Sequence, residues 1–166
     1  GGYHHYATYL KRQIQVEAEE KVPEGKMAKL LYDMYQPDCA KYAEESDVPQ
    51  IYELLLENFD LQADHIPSED DLLQNVKEKE VMIYKIGDKI ECFFIYRREG
   101  KKLYCAFSYN HASADILYSI ERRVKEIEYE ENGIKMHYAW FNAENKKALR
   151  RNAWKDTKIR DYIFVK

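Results

Sequence analysis

A strand, a sharp polar turn, a helix, a second strand and a second helix follow one another between residues 102 and 155, and no other stretch restricts the fold of this chain so tightly. Residues 102–108 read as a short apolar strand, and Tyr109-Asn110-His111-Ala112-Ser113-Ala114 is the turn that opens the helix. Ile116, Leu117, Ile120, Val124 and Ile127 keep one helix face apolar, while Arg122, Arg123, Lys125 and Glu126 fall mostly outside it. Asn132-Gly133 is a strong stop signal, residues 134–141 are a nearly continuous apolar strand, and Asn142-Ala143-Glu144-Asn145 opens the next helix. A connection of that length predicts a parallel crossover. The turn also has a chemical consequence. The first amides of a helix have no partner inside it, and together with the helix dipole they can hold an anion.

The rest of the chain supplies antiparallel strands and helices. Residues 81–86 and 89–97 are strands joined by Gly87-Asp88, a two-residue turn with glycine first. Arg98-Glu99-Gly100-Lys101 turns the chain again, so three strands form a meander. Before it, Ser46 or Asp47 caps a helix carrying Val48, Ile51, Leu54, Leu55 and Phe59, with Pro49 in its first turn. Ser68-Glu69-Asp70-Asp71 resembles a capping box and leads into Leu72, Leu73 and Val76. Residues 39–43 and 159–165 read as a first short strand and a last one.

Residues 1–38 read as an N-terminal helical extension. Tyr3, Tyr6, Leu10 and Ile14 share a helical face and predict a helix over residues 6–20, although Tyr6-Ala7-Thr8-Tyr9-Leu10 equally reads as a strand. Pro23-Glu24-Gly25 breaks it, and Met27, Leu30, Leu31 and Met34 mark a second, short helix. The expected fold class is α+β (α/β): a mixed, mostly antiparallel sheet flanked by helices over residues 39–166, with residues 1–38 added in front.

A net charge of −4 gives no basic footprint for nucleic acid. No apolar run approaches the ~20 residues that span a bilayer, and no charged-then-apolar leader opens the chain. Cys39, Cys92 and Cys105 are odd in number and lack metal-ligand spacing, which predicts reduced thiols in a cytoplasmic setting and no metal site.

The order of elements is similar to that of the GNAT-type N-acetyltransferase superfamily over residues 39–166. The most specific piece runs from Phe141 to Leu149, where Asn145 and Ala148 stand at the positions of an Asn-x-x-Ala segment that opens the helix beside the cofactor. Asp47-Val48-Pro49-Gln50-Ile51 also resembles the family's first strand-to-helix junction. The resemblance implies two splayed strands, residues 102–108 and 134–141, with the pantetheine arm of acetyl-CoA between them and its pyrophosphate at the helix N-terminus. Acetyl-CoA would be the cosubstrate and a primary amine the acceptor. The family's phosphate turn reads Gln or Arg, two residues, Gly, one residue, then Gly or Ala. Here Tyr109 and Ala112 depart from it and Ala114 matches. Asn152 stands where many members carry a tyrosine acid, and Asp156-Thr157 replaces a common Gly-Phe pair.

On this reading Ser108, Asn110, His111, Ala112, Ser113, Ala114 and Asn145 bind cofactor, and Glu91, Tyr109 and Asn152 are the candidates for catalysis. Each also has a plainer role. His111 is equally a solvent-facing turn residue, and Glu91 is either a base acting through water or part of a solvated face. Ser113 and Asn145 cap helices. Asn152 can orient a thiolate but cannot usefully donate a proton. Tyr109 or Tyr118 can replace the missing acid. Cys105 and His137 read as core residues. Lys146, Lys147, Arg150 and Arg151 either reach the adenosine phosphates or form a solvated helix face. Two function classes follow: a CoA-dependent N-acyltransferase, or a cofactor-free domain of this fold serving as an interaction module. In the second, residues 1–38 cover the cleft or build a homodimer surface.

Overall fold

The computed structural model describes residues 2–150 and 154–166. Its centre is the meander. Strands β3 (Val81–Ile86), β4 (Lys89–Glu99) and β5 (Lys102–Asn110) pair antiparallel through turns in which Gly87 and Gly100 take φ of +61° and +62°. β4 is buried from Ile90 to Tyr96 because both of its faces are covered. Ile90, Phe93 and Ile95 face helices α2 (Val48–Asn58) and α3 (Glu69–Lys77). Cys92, Phe94 and Tyr96 face the long helix α4 (Ala114–Asn132), whose Ile116, Ile120 and Val124 fill the opposite core. As expected, Ser68 caps α3: its hydroxyl accepts the Asp71 amide at 3.1 Å.

Among the described residues the sheet has seven strands, including β1 (His4–Gln15), β2 (Lys41–Tyr42), β6 (Met136–Asn142) and β7 (Lys155–Val165). Their order is β2-β3-β4-β5-β6-β1-β7, and β5 with β6 is the one parallel pair. α4 supplies the right-length crossover between those two and ends at Gly133, whose φ of +65° closes the helix in the left-handed region.

The N-terminal segment corrects one expectation. The helix predicted over residues 6–20 is instead β1, while the short helix α1 (Lys26–Asp33) forms as predicted. Tyr6, Leu10 and Ile14 fit a helical face, but the segment lies between β6 and β7. Tyr9↔Asn142 through Gln15↔Met136 pair on one side and His4↔Val165 through Gln13↔Lys155 on the other. Backbone pairing along both edges outweighs a difference in helix propensity of a few tenths of a kcal/mol per residue. The strand expected over 39–43 is likewise only β2, because Pro37–Cys39 forms a 3-10 turn.

A buried ion pair holds α4 to the meander. Glu128 is fully buried, and the Arg98 guanidinium grips it twice, Nε to Oε2 and Nη2 to Oε1, both at 2.8 Å. Asn132 adds a third bond to Glu128 at 2.9 Å. Arg98 also donates to the carbonyls of Glu78 and Lys79 just past α3, so one side chain ties three elements together.

Candidate functional site

The parallel pair β5–β6 is short. It holds at Lys102↔Met136, Leu103↔His137 and Tyr104↔Tyr138, and there it stops. Both strands continue on their outer sides: β5 stays paired with β4 as far as Asn110, and β6 with β1 as far as Asn142. The strands therefore part as intact ribbons. At the fork β5 carries a bulge, with Ile95↔Phe107 followed by Tyr96↔Cys105, so that Ala106 lacks a partner in β4. An extra residue bends a strand and increases its twist, which turns β5 away from β6. Ser108, in the middle of an interior strand, is consequently exposed.

The far end of this gap is the turn into α4. Asn110 shapes it: Oδ1 accepts the Ala112 amide at 3.0 Å and Nδ2 donates to the Ser113 carbonyl at 3.2 Å. The turn takes no positive φ, so Ala112 fits where the resembling motif has glycine. The His111 amide is spent on the Glu91 carbonyl at 2.7 Å. Among the described residues nothing bonds to the amides of Ser113, Ala114 and Asp115, and these three point out of the N-terminus of a 19-residue helix. Lys146, Lys147 and Arg150, on and after α5 (Lys146–Leu149), are exposed, and Asn145 caps α5 by accepting the Ala148 amide at 3.1 Å.

Glu91 and His111 meet at this turn. His111 Nδ1 donates to Glu91 Oε2 at 2.9 Å, and Lys89 approaches the same carboxylate at 3.7 Å. The His111 bond chiefly, and Lys89 after it, hold the Glu91 carboxyl below its usual range. Because Cys92 pairs with Asn110, Glu91 lies at the turn end, about 20 Å along β5 from the fork. A depressed folded pKa stabilises the turn above the unfolded carboxylate range near pH 4 and loses that contribution as pH falls through the folded value. Glu91→Gln is expected to abolish this acid limb in unfolding curves recorded against pH. Superimposable limbs in the two proteins would show that the pair contributes nothing.

On the sheet face under α2 and α3, a cavity of about 450 Å³ opens beside the fork, with Ile95, Arg97, Ala106 and Phe107 as its floor. The loop between α2 and α3 runs past it. Phe59 packs edge-on against Phe107 at 5.1 Å, and the Tyr6 and Tyr9 hydroxyls of β1 donate to Asp60 and Asp64, so the loop bridges from β5 to β1.

Seven of the sequence-selected residues thus cluster around the turn: Glu91, Ser108, Asn110, His111, Ala112, Ser113 and Ala114. Tyr109 sits beside them on β5, its ring stacked on Phe93 at 5.4 Å. Asn145 lies past the end of β6, and Asn152 lies outside the described residues. Cys105 Sγ stands 3.9 Å from His137 Nδ1. Burial pushes the thiol up and the imidazole down to about 3, so both are neutral and the pair packs. Among the described residues no group of three or more His, Cys, Asp or Glu side chains is placed to hold a metal ion, and no helix is long and apolar enough to cross a membrane. Sequence reasoning missed the edge-on pair Tyr104 and Tyr138 at the fork (5.2 Å) and the cavity beside it. Only the register of β5 on β6 reveals the first, and a bulge with no sequence signature of its own shapes the second.

No protein-family model and no curated protein matches the sequence. Solved structures do match. A GCN5-related N-acetyltransferase from Sphaerobacter thermophilus aligns over 98% of this chain and 52% of its own, with a TM-score of 0.63 and 15% identity. A conserved protein from Enterococcus faecalis V583, described as a probable N-acyltransferase, aligns over 98% and 40%, at 0.59 and 13%. N-myristoyltransferase of Saccharomyces cerevisiae, solved with myristoyl-CoA, aligns over 95% and 48%, at 0.53 and 12%. The chain spans about half the length of these proteins. Likeness at this level of identity establishes the fold, and the fold is that of the GCN5-related N-acetyltransferases.

Proposed function

We propose that this chain moves an acetyl group from acetyl-CoA to a primary amine. The observation that carries the proposal is the fork, where two neighbouring strands stop pairing after Tyr104↔Tyr138 although each stays paired outside. Unpaired main-chain groups inside a sheet are costly unless a ligand or water bonds them, and an amide-bearing arm suits such a slot. The residues fit the cosubstrate. The free amides of Ser113, Ala114 and Asp115 suit its diphosphate, with Asn110 and the Glu91–His111 pair holding the turn in shape. Lys146, Lys147 and Arg150 are open to the nucleotide's phosphates. The main chain of residues 105–110 faces the pantetheine arm, and the bulge at Ala106 offers backbone polar groups near the fork to polarise the acyl carbonyl. Bound there, the thioester supplies an acyl carbon that gains a bond to the amine nitrogen and loses its bond to sulfur. The amine's proton leaves to water or a nearby base, and the thiolate takes one up. Tyr109 and Asn152 remain the proposed partners of the sulfur, and Glu91 acts through His111 and the turn. The cavity beside the fork gives the amine its route to the acyl carbon.

Titration calorimetry with acetyl-CoA and CoA, followed by mass spectrometry of amines incubated with the protein, tests this reading. Binding and an acetylated amine are expected; no heat at millimolar CoA would overturn it. The outcome would then favour an interaction module, for which the exposed apolar stripe of Met27, Leu30 and Met34 along α1 is the supporting observation.

A further inference from the structure

The segment that contains α1 is tied along α4 by a series of contacts. Lys125 Nζ donates to the Glu20 carboxylate at 3.3 Å. The Arg122 guanidinium lies over the rings of Tyr32 and Tyr35, at 4.5 and 4.1 Å. The Gln36 backbone amide donates to the hydroxyl of Ser119, a fully buried residue, at 3.0 Å. Finally, Gln36 Nε2 donates to Asp115 Oδ2 at 3.1 Å. Asp115, Ser119 and Arg122 share one helix face by their spacing. The partners descend α4 from Lys125 to Asp115 as the segment runs from Glu20 to Gln36, so it forms a strap whose tip, Gln36, grips the first turn of the helix.

That grip falls on a side chain with a competing use. Asp115 is buried, and its carboxylate belongs to the same helical turn as the unbonded amides of Ser113, Ala114 and Asp115. A first-turn carboxylate is drawn to such amides by the helix dipole and is within reach of them, which is how many helices close their own N-termini. Neither local acceptor does so here. The Ser113 side chain makes no capping bond, and Asp115 turns instead to Gln36, a neutral donor 79 residues away in the chain. We infer that Gln36 is a positioning residue: by holding the Asp115 carboxylate against the strap, it keeps the α4 amides open for the cosubstrate's diphosphate. Without that bond the carboxylate swings onto the amides of its own helix and competes with the phosphate for the same donors. This inference rests on the acyl-transfer reading, which supplies the diphosphate, and it gives the segment ahead of the meander a part in the site without contact to the ligand.

The test is calorimetry with CoA on the full chain and on Gln36→Leu, Asp115→Ala and the two combined. Gln36→Leu is expected to bind CoA at least about tenfold more weakly, because a charge-assisted bond inside the helix must be broken first. Asp115→Ala should bind at least as tightly as the parent chain, since a like charge near the diphosphate is gone. The combined variant should recover affinity to within about threefold of the parent, because no carboxylate is left to occupy the amides. A bond that merely held the strap in place would not be rescued by a second deletion. Gln36→Asn is one methylene shorter, breaks the same bond and keeps the strap polar, so it carries the same expectation if the leucine variant does not fold. Equal affinity in the parent and Gln36→Leu, or a combined variant as weak as Gln36→Leu, would overturn the inference and leave the acyl-transfer reading standing. A parent chain that gives no heat with CoA would overturn both.

Discussion

Arg98→Met is expected to cost about 3–5 kcal/mol of folding stability, the largest loss foreseen for any single change in this chain. The reason lies in what remains behind. Glu128 is fully buried, and with the guanidinium gone the 2.9 Å bond from Asn132 is all that its carboxylate keeps among the described residues. A buried charge stripped of its partner loses the Coulomb attraction that offset its desolvation, and methionine fills the volume without supplying a donor. The reverse change should be milder. In Glu128→Gln the guanidinium remains about a quarter exposed and still donates to the Glu78 and Lys79 carbonyls. Its loss should be roughly 1–3 kcal/mol, set by weaker hydrogen bonds to a neutral amide. Denaturant unfolding of both variants checks the asymmetry. Equal losses would mean that water reaches Glu128 and that the pair is not the clamp described above. The clamp matters for function because α4 is gripped near its C-terminus by this pair, while its N-terminus presents the free amides. A loosened α4 should lose anion binding along with stability.

How much of this was legible beforehand differs from element to element. The meander was readable because Gly87-Asp88 and Gly100 mark its turns chemically, and α4 was readable because Ile116, Ile120 and Val124 repeat with helical spacing up to a glycine stop. The turn residues Asn110, His111 and Ser113 were legible as a group, since polar residues before an apolar helical repeat announce a helix start. β1 was misread because Tyr6, Leu10 and Ile14 satisfy a helical period, and only the neighbours on either side, distant in sequence, decide between helix and strand. The position of Glu91 was equally hidden. Nothing local states that Cys92 pairs with Asn110, and that register is what takes the carboxylate to the turn and to His111. The cavity beside the fork was hidden because its wall comes from α3 and the residues just after it, while its floor comes from Ile95 and Arg97 of β4 and Ala106 and Phe107 of β5, which no single window of sequence brings together.

Ala114→Glu separates the structural use of the α4 N-terminus from its use as an anion site. Ala114 is the first residue of the helix and is exposed, so a longer side chain meets no core. A carboxylate in the first turn interacts favourably with the helix dipole, by about 0.3–1 kcal/mol, so the variant should be at least as stable as the parent chain. The same carboxylate lies next to the free amides of Ser113, Ala114 and Asp115, where the acyl-transfer reading puts a diphosphate. Two like charges about 5–6 Å apart near a protein surface repel by roughly 3 kcal/mol, which corresponds to more than a hundredfold in Kd for CoA. Ala114→Gln has nearly the same size without the charge and should retain most of the affinity, which excludes a steric explanation. Calorimetry with CoA and thermal unfolding of the three proteins decide the matter. If Ala114→Glu binds CoA as tightly as the parent chain, the diphosphate lies elsewhere. If it binds weakly and also unfolds earlier, the loss comes from a damaged helix. Undiminished stability with affinity lost only in the charged variant is the result that an anion seated on those three amides demands.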